Sequence, residues 1–152
     1  MKAVNQVFEV YTDTKMTSCP CGGVALTAKL PGTQGSNEKY ADCCGRYLDG
    51  GEAAPTAEAL MRSRYTAYTL GREDYLLATW HHGTRPASLE LEGKPRKWLA
   101  LEVRRHEQSE PDHAVVEFVA RYKVSGRAHR LHEISRFVRE AGQWFYVDGD
   151  LV

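Results

Sequence analysis

At 152 residues and 17.1 kDa the chain is long enough for one packed core with a small appendage and short for two independent cores. Twenty basic residues balance twenty acidic ones, so the positive excess of a protein that binds nucleic-acid backbones nonspecifically is missing. No apolar run reaches the roughly 18 residues of a spanning helix, and no apolar segment follows a basic start, so the expectation is a cytoplasmic protein without membrane attachment.

Residues 1–16 read as an N-terminal extension, either a short strand around Val7–Tyr11 or disordered, with no functional role. The chain's four cysteines follow: Cys19 and Cys21 flank Pro20, and Cys43 and Cys44 are adjacent, with residues 22–42 between the pairs. A reducing compartment favours thiolate ligands over disulfides, which makes a metal the first reading and disulfides or redox thiols the second. Pro20 fixes the turn between the first two sulfurs, while Gly22-Gly23 and Gly45 allow the sharp turns and close backbone approach of a metal-thiolate centre. Zinc takes four thiolates in a closed tetrahedron with no position left for water. Cys19, Cys21, Cys43 and Cys44 are therefore expected to hold one structural zinc ion within a zinc-binding segment at 17–50. Inside it, Val24–Leu30 reads as a short strand and the stretch around Pro31–Asn37 as a loop.

Residues 51–152 form the second unit. Thr56 is the candidate N-cap of a helix running to Leu70, and Gly71 its stop. Leu60, Met61, Arg64, Tyr65 and Tyr68 share one side of that helix, where a buried guanidinium needs a partner. A second short helix exposes Leu76, Leu77 and Trp80 to the core. It ends at His81-His82-Gly83, where paired imidazoles suit a helix C-terminus better than a second metal site. Residues 83–95 read as a connection.

From Arg96 the period changes to two. In the first strand Trp98, Ala100 and Glu102 should face away from Leu99, Leu101 and Val103. Val115–Val124, Leu131–Val138 and Trp144–Gly149 follow as further strands, separated by turns at Glu110-Pro111-Asp112, Ser125-Gly126-Arg127 and Glu140–Gln143. Helices ahead of hairpin-linked strands predict an α+β fold, a curved antiparallel sheet wrapped on N-terminal helices. Both strand faces carry apolar residues. The outer face is therefore expected to be covered, either by the cysteine segment or by a second copy of the chain in a homodimer through the sheet.

Cys-Pro-Cys-Gly followed by Cys-Cys resembles the SEC-C zinc motif found at the C-terminus of the SecA translocase. The words Leu60-Met61-Arg62-Ser63-Arg64-Tyr65, Thr79-Trp80-His81, His132-Glu133-Ile134-Ser135-Arg136-Phe137 and Gln143-Trp144-Phe145-Tyr146-Val147-Asp148-Gly149 resemble the YchJ-like bacterial proteins. The resemblance runs from Cys19 to Asp150 and implies a nuclear transport factor 2-like α+β cone with a zinc-binding N-terminal segment. The gap between the cysteine pairs is longer here than in the family's motif.

Two functional readings follow. The SEC-C motif of SecA contacts an export chaperone, so the resemblance implies a protein-interaction module whose zinc segment docks a protein partner. No nucleophile and base stand at recognisable spacing, and no catalytic residue is assigned. The alternative uses the cone as a pocket for a small molecule or for proton transfer, with Arg64, Tyr65, His81, Glu133, Arg136 and Asp148 as its polar lining. A buried salt bridge joining Arg64 or Arg136 to Glu133 or Asp148 would explain the same residues structurally.

Overall fold

Two of the strand connections are hairpins whose turn chemistry fixes the register of the sheet. Ser125-Gly126 and Ala141-Gly142 both have positive φ at each turn position (50° and 77°, 50° and 78°), the left-handed pair that suits the right-handed twist of adjoining strands. The computed structural model describes residues 18–23, 38–91 and 96–152. The expected N-terminal extension, the strand at Val24–Leu30 and the loop at Pro31–Asn37 lie outside the described residues.

Four strands, β1 (Lys97–Glu110), β2 (His113–Val124), β3 (Arg127–Glu140) and β4 (Gln143–Leu151), form one antiparallel sheet in the order β1-β2-β3-β4. Among the described residues a 3₁₀ turn (Tyr40–Asp42) and three helices come ahead of them: α1 (Gly45–Leu48), α2 (Ala57–Leu70) and α3 (Glu73–Ala78). Helices packed on one face of an antiparallel sheet are the α+β arrangement expected from the sequence. None of the described helices is long and apolar enough to cross a membrane.

Helix α2 starts and stops by local rules. The Thr56 hydroxyl accepts the Ala59 N–H at 3.0 Å, and Gly71 takes φ 69° as the left-handed cap, with the Arg72 N–H reaching back to the Ala67 carbonyl at 2.8 Å. The helix is buried on more than one side: Leu60, Met61 and Tyr65 belong to the core, and so do Ser63, Thr66 and Ala67. Ser63 meets the Tyr75 hydroxyl of α3 at 2.7 Å, and Thr66 meets the cysteine segment. This central position explains why polar residues in α2 are as buried as apolar ones.

The inner face of the sheet carries Ala114, Val116, Phe118 and Ala120 from β2, opposite Phe137, Ser135, Glu133 and Leu131 of β3. Strand β1 departs from strict alternation. Register shifts after Trp98 and after Val103 place Trp98, Leu101, Val103 and His106 opposite the inner-face residues Tyr122, Ala120, Phe118 and Val116. Trp98 and Leu101, expected on opposite faces, thus share one, because a bulge inserts a residue and resets the phase. Leu99 is left 46% exposed.

The described residues of the cysteine segment pack against α2 and not on the outer face. That face carries its own ion pairs: Glu117 with His132 at 2.7 Å and with Arg105 at 3.4 Å, and Arg136 with Asp148 at 2.6 Å and Asp150 at 2.7 Å. The free edge of β4 is closed by Thr79–His81, which exchange hydrogen bonds with Tyr146 in a short parallel bridge (Tyr146 N to Thr79 O 2.9 Å, His81 N to Tyr146 O 2.7 Å).

Candidate functional site

The four cysteines meet. Their sulfurs lie within 4.8 Å of one another, all four are free thiols, and Cys21 Sγ is 3.5 Å from Cys43 Sγ. A disulfide needs about 2.05 Å, whereas four thiolates at 2.3 Å from one tetrahedral ion stand about 3.8 Å apart. The donor set therefore fits a tetrahedral metal ion. The Gly23 N–H donates to Cys21 Sγ at 3.2 Å, and a Cβ at Gly23 would stand 3.2 Å from both the Cys21 and Cys43 sulfurs, tighter than ordinary contact, so a side chain there would press on both. At Gly45, the first residue of α1, a Cβ would lie 2.7 Å from the Tyr40 carbonyl oxygen, again a matter of space. Hydrogen bonds from Cys21, Cys43 and Cys44 pull the Cys19 thiol down, while bonding to Cys19 and Cys21 pushes Cys44 up. Thiols packed this way compete for protons, and a divalent cation would stabilise all four as thiolates.

The long gap between the pairs is closed at its base. The Glu38 N–H donates to the Gly23 carbonyl at 3.0 Å and the Cys19 N–H to the Glu38 carbonyl at 2.7 Å, so residues 24–37 leave and re-enter at adjacent points. The described residues on either side of the insertion are therefore joined to each other beside the sulfurs. The segment is tied to α2 by Arg62 Nη1 donating to the Cys21 carbonyl at 3.0 Å and by the 3.7 Å contact of Cys19 Sγ with Thr66 Oγ1. Arg72 adds bonds to Asp49 at 2.9 Å and to the Leu48 carbonyl at 3.2 Å. All four cysteines are counted within the same buried core as Leu60, Phe118 and Phe137.

Between α2 and the sheet lies a cavity of about 170 Å³. Of the six residues expected to line a pocket, Arg64, Tyr65 and Glu133 do so, joined by Tyr68, Trp80, Arg96, Trp98, Ser135 and Tyr146, which sequence reasoning left in the core or unassigned. His81, Arg136 and Asp148 are not cavity residues. Arg136 is three positions from Glu133 in a strand, hence on the opposite face, and Asp148 sits beside it there. His81 turns to the surface, with Nε2 2.8 Å from Glu140. The Gly83 N–H occupies its Nδ1 at 3.1 Å, so Nε2 carries the proton of the neutral ring. His81, His82 and Glu140 lie close together in a partly exposed surface group, joined by the hydrogen bond between His81 Nε2 and Glu140.

Arg64 is only 6% exposed, and its Nη1 donates to the Leu76 carbonyl and to Thr79 Oγ1, both at 2.7 Å. Its guanidinium carbon lies 5.1 Å from the Trp80 ring centroid and 4.7 Å from that of Tyr146. Burial lowers its pKa from the ordinary value of 12.5. Glu133 Oε1 accepts from Ser135 Oγ at 2.8 Å and Tyr146 OH at 3.0 Å. Burial and the Glu133 charge push the Tyr146 phenol up. The expected buried salt bridge is absent among the described residues. Arg64 is served by neutral acceptors and ring faces, and the Arg136–Asp148 pair that does form is solvent-exposed.

An α2–sheet cavity in a four-stranded meander, with a cysteine cluster fixed to the back of α2, defines a nuclear transport factor 2-like domain with an N-terminal four-cysteine segment that suggests a metal site. A family model described as YchJ, middle NTF2-like domain, matches residues 56–149, and the chain belongs to the YchJ-like family. It is 55% identical over 134 residues to a UPF0225 protein of Polaromonas naphthalenivorans, covering 88% of this chain and 97% of that one. It is 56% identical over 138 residues to a UPF0225 protein of Chromobacterium violaceum, covering 87% and 91%. Among solved structures it is similar to a SEC-C motif containing protein from Rhodopseudomonas palustris (TM-score 0.72, 30% identity, 90% of this chain and 99% of that one). A SEC-C motif containing protein from Psychrobacter arcticus is similar as well (TM-score 0.71, 30% identity, 91% and 85%).

Proposed function

We propose that Cys19, Cys21, Cys43 and Cys44 hold one zinc ion as a structural clamp on α2, and that the working site is the cavity, which binds a small molecule. The observation that carries this reading is the 170 Å³ space beside Glu133, where charged and polar groups converge among aromatic rings. Four thiolates leave zinc no open position for chemistry. The sulfurs are buried and the segment's backbone is bonded to α2, which favours a supporting role over a free-standing docking knob.

Metal analysis of the purified protein should give one zinc per chain. Benzene, followed by NMR shifts of cavity-lining residues, tests whether the cavity admits a ligand. Ala120→Leu, which fills it, should abolish those shifts while leaving zinc bound. The interaction reading makes the opposite forecast: a protein partner would be lost on replacing Cys43 and Cys44 by serine and retained in Ala120→Leu.

A further inference from the structure

Taking the cavity as the ligand site proposed above, we infer that it selects a small organic anion, a carboxylate on a single-ring or branched apolar body. Among the described residues three charged side chains line the cavity, Arg64, Arg96 and Glu133. A monoanion brings the set to neutrality, whereas a monocation raises its charge.

Arg64 is the buried member and forms no ion pair among the described residues. Nη1 has its two acceptors, and among the described residues Nε and Nη2 have none. A buried cation without a counter-ion is costly, and an anion supplies both the missing charge and the missing acceptors. Guanidinium and carboxylate geometries match in pairs, which favours a carboxylate over a halide or an alcohol. Glu133 acts on Arg64 only across a distance, with no hydrogen bond or ion pair between them among the described residues: its Oε1 is spent on Ser135 and Tyr146 and its carboxylate lies against Gly149 on the β3–β4 wall. Arg96 is exposed, stacked 4.9 Å from the Tyr122 ring centroid, and adds positive potential.

The rest of the lining sets the body of the ligand. Met61, Trp98, Phe118 and Leu131 offer apolar surface, and the volume is close to the roughly 150 Å³ that accepts benzene in a dry cavity.

The test uses the full zinc-loaded chain and four probes, benzene, benzyl alcohol, benzoate and benzylammonium, titrated at neutral pH by tryptophan fluorescence and NMR shifts. Benzoate should bind about tenfold more tightly than benzyl alcohol and benzylammonium more weakly than either. Arg64→Met should remove the preference for benzoate. Should that variant fail to fold, Arg96→Gln at the exposed end should weaken benzoate roughly threefold and leave benzyl alcohol unchanged. Benzene bound with benzoate no tighter than benzyl alcohol overturns the anion assignment and leaves the cavity standing. Tighter benzylammonium does the same and points to Glu133 as the determinant. No binding of any probe, benzene included, overturns the cavity reading itself.

Discussion

Tyr146 donates its hydroxyl to Oε1 of Glu133 at 3.0 Å while the face of the same ring lies 4.7 Å from the guanidinium carbon of Arg64. One side chain thus engages the cavity's anion at its edge and the cavity's buried cation on its face. Tyr146→Phe keeps the ring and removes only the bond to the carboxylate. Because hydrogen bonds to charged groups contribute more than neutral ones, the expected loss is about 1.5–3 kcal/mol in denaturant-induced unfolding. Tyr146→Leu also removes the cation–π contact and should cost more. Equal stabilities of Tyr146→Phe and the parent chain would show that water replaces the phenol.

Gly149 is a glycine because Glu133 lies over it. A Cβ built there would overlap the Glu133 carboxylate. Gly149→Ala should therefore displace Glu133 from Ser135 and Tyr146 and destabilise the chain by about 1–3 kcal/mol. In a Glu133→Ala background the same substitution has nothing to strike, so a double-mutant cycle should show most of the cost abolished. Additive effects would locate the strain in the β4 backbone.

The local parts of this structure were legible because local rules decide them. Thr56 and Gly71 bound α2 through a cap and a left-handed stop, and paired left-handed turn residues set the β2–β3 and β3–β4 hairpins. The faces of β1 were not, since its bulges arise from pairing with β2 and no residue in the strand announces them. Arg64 stood out as a cation on an apolar helix side, yet its answer, carbonyl, hydroxyl and two ring faces, depends on α3 and β4. Glu133 and Arg136 differ by an odd number of positions, so strand parity alone places them on opposite faces. Trp80 reads as a core residue of the second helix and Trp98 and Tyr146 as strand residues, because periodicity reports elements and faces, while a cavity is what packing leaves unfilled. The Glu38–Gly23 closure beneath the long insertion is a tertiary hydrogen bond with no sequence signature.

On the outer face Glu117 accepts from His132 at 2.7 Å, and that hydrogen bond, with Arg105 nearby, holds its carboxyl below the ordinary value of 4.5. A depressed folded-state pKa stabilises the fold above the unfolded value, and the contribution is lost as pH falls through the folded one. Glu140 beside His81 behaves alike. The melting temperature should therefore fall as pH drops below about 4.5, and fall less steeply in Glu117→Gln. Since the carboxylate is at the surface, added salt should shrink the difference. Identical pH slopes would mean that the pair contributes nothing.

Removal of the proposed zinc should be felt throughout the chain, because the cysteines share the core of the cone and clamp α2. Cys43→Ser with Cys44→Ser should release the metal and lower the melting temperature by about 10 °C or more. Amide exchange should accelerate along Arg62–Thr66 in α2, not only in residues 38–50. Exchange confined to the cysteine segment would make that segment an independent module after all. A gentler variant separates metal affinity from folding. Gly23→Ala places a methyl 3.2 Å from both the Cys21 and Cys43 sulfurs, where it crowds the tetrahedron without removing a ligand. Competition with a chromophoric chelator should show zinc held about tenfold more weakly, with the cavity's response to benzene unchanged. Undiminished affinity would mean that the sulfurs shift to accommodate the methyl and that Gly23 is not needed to shape the site.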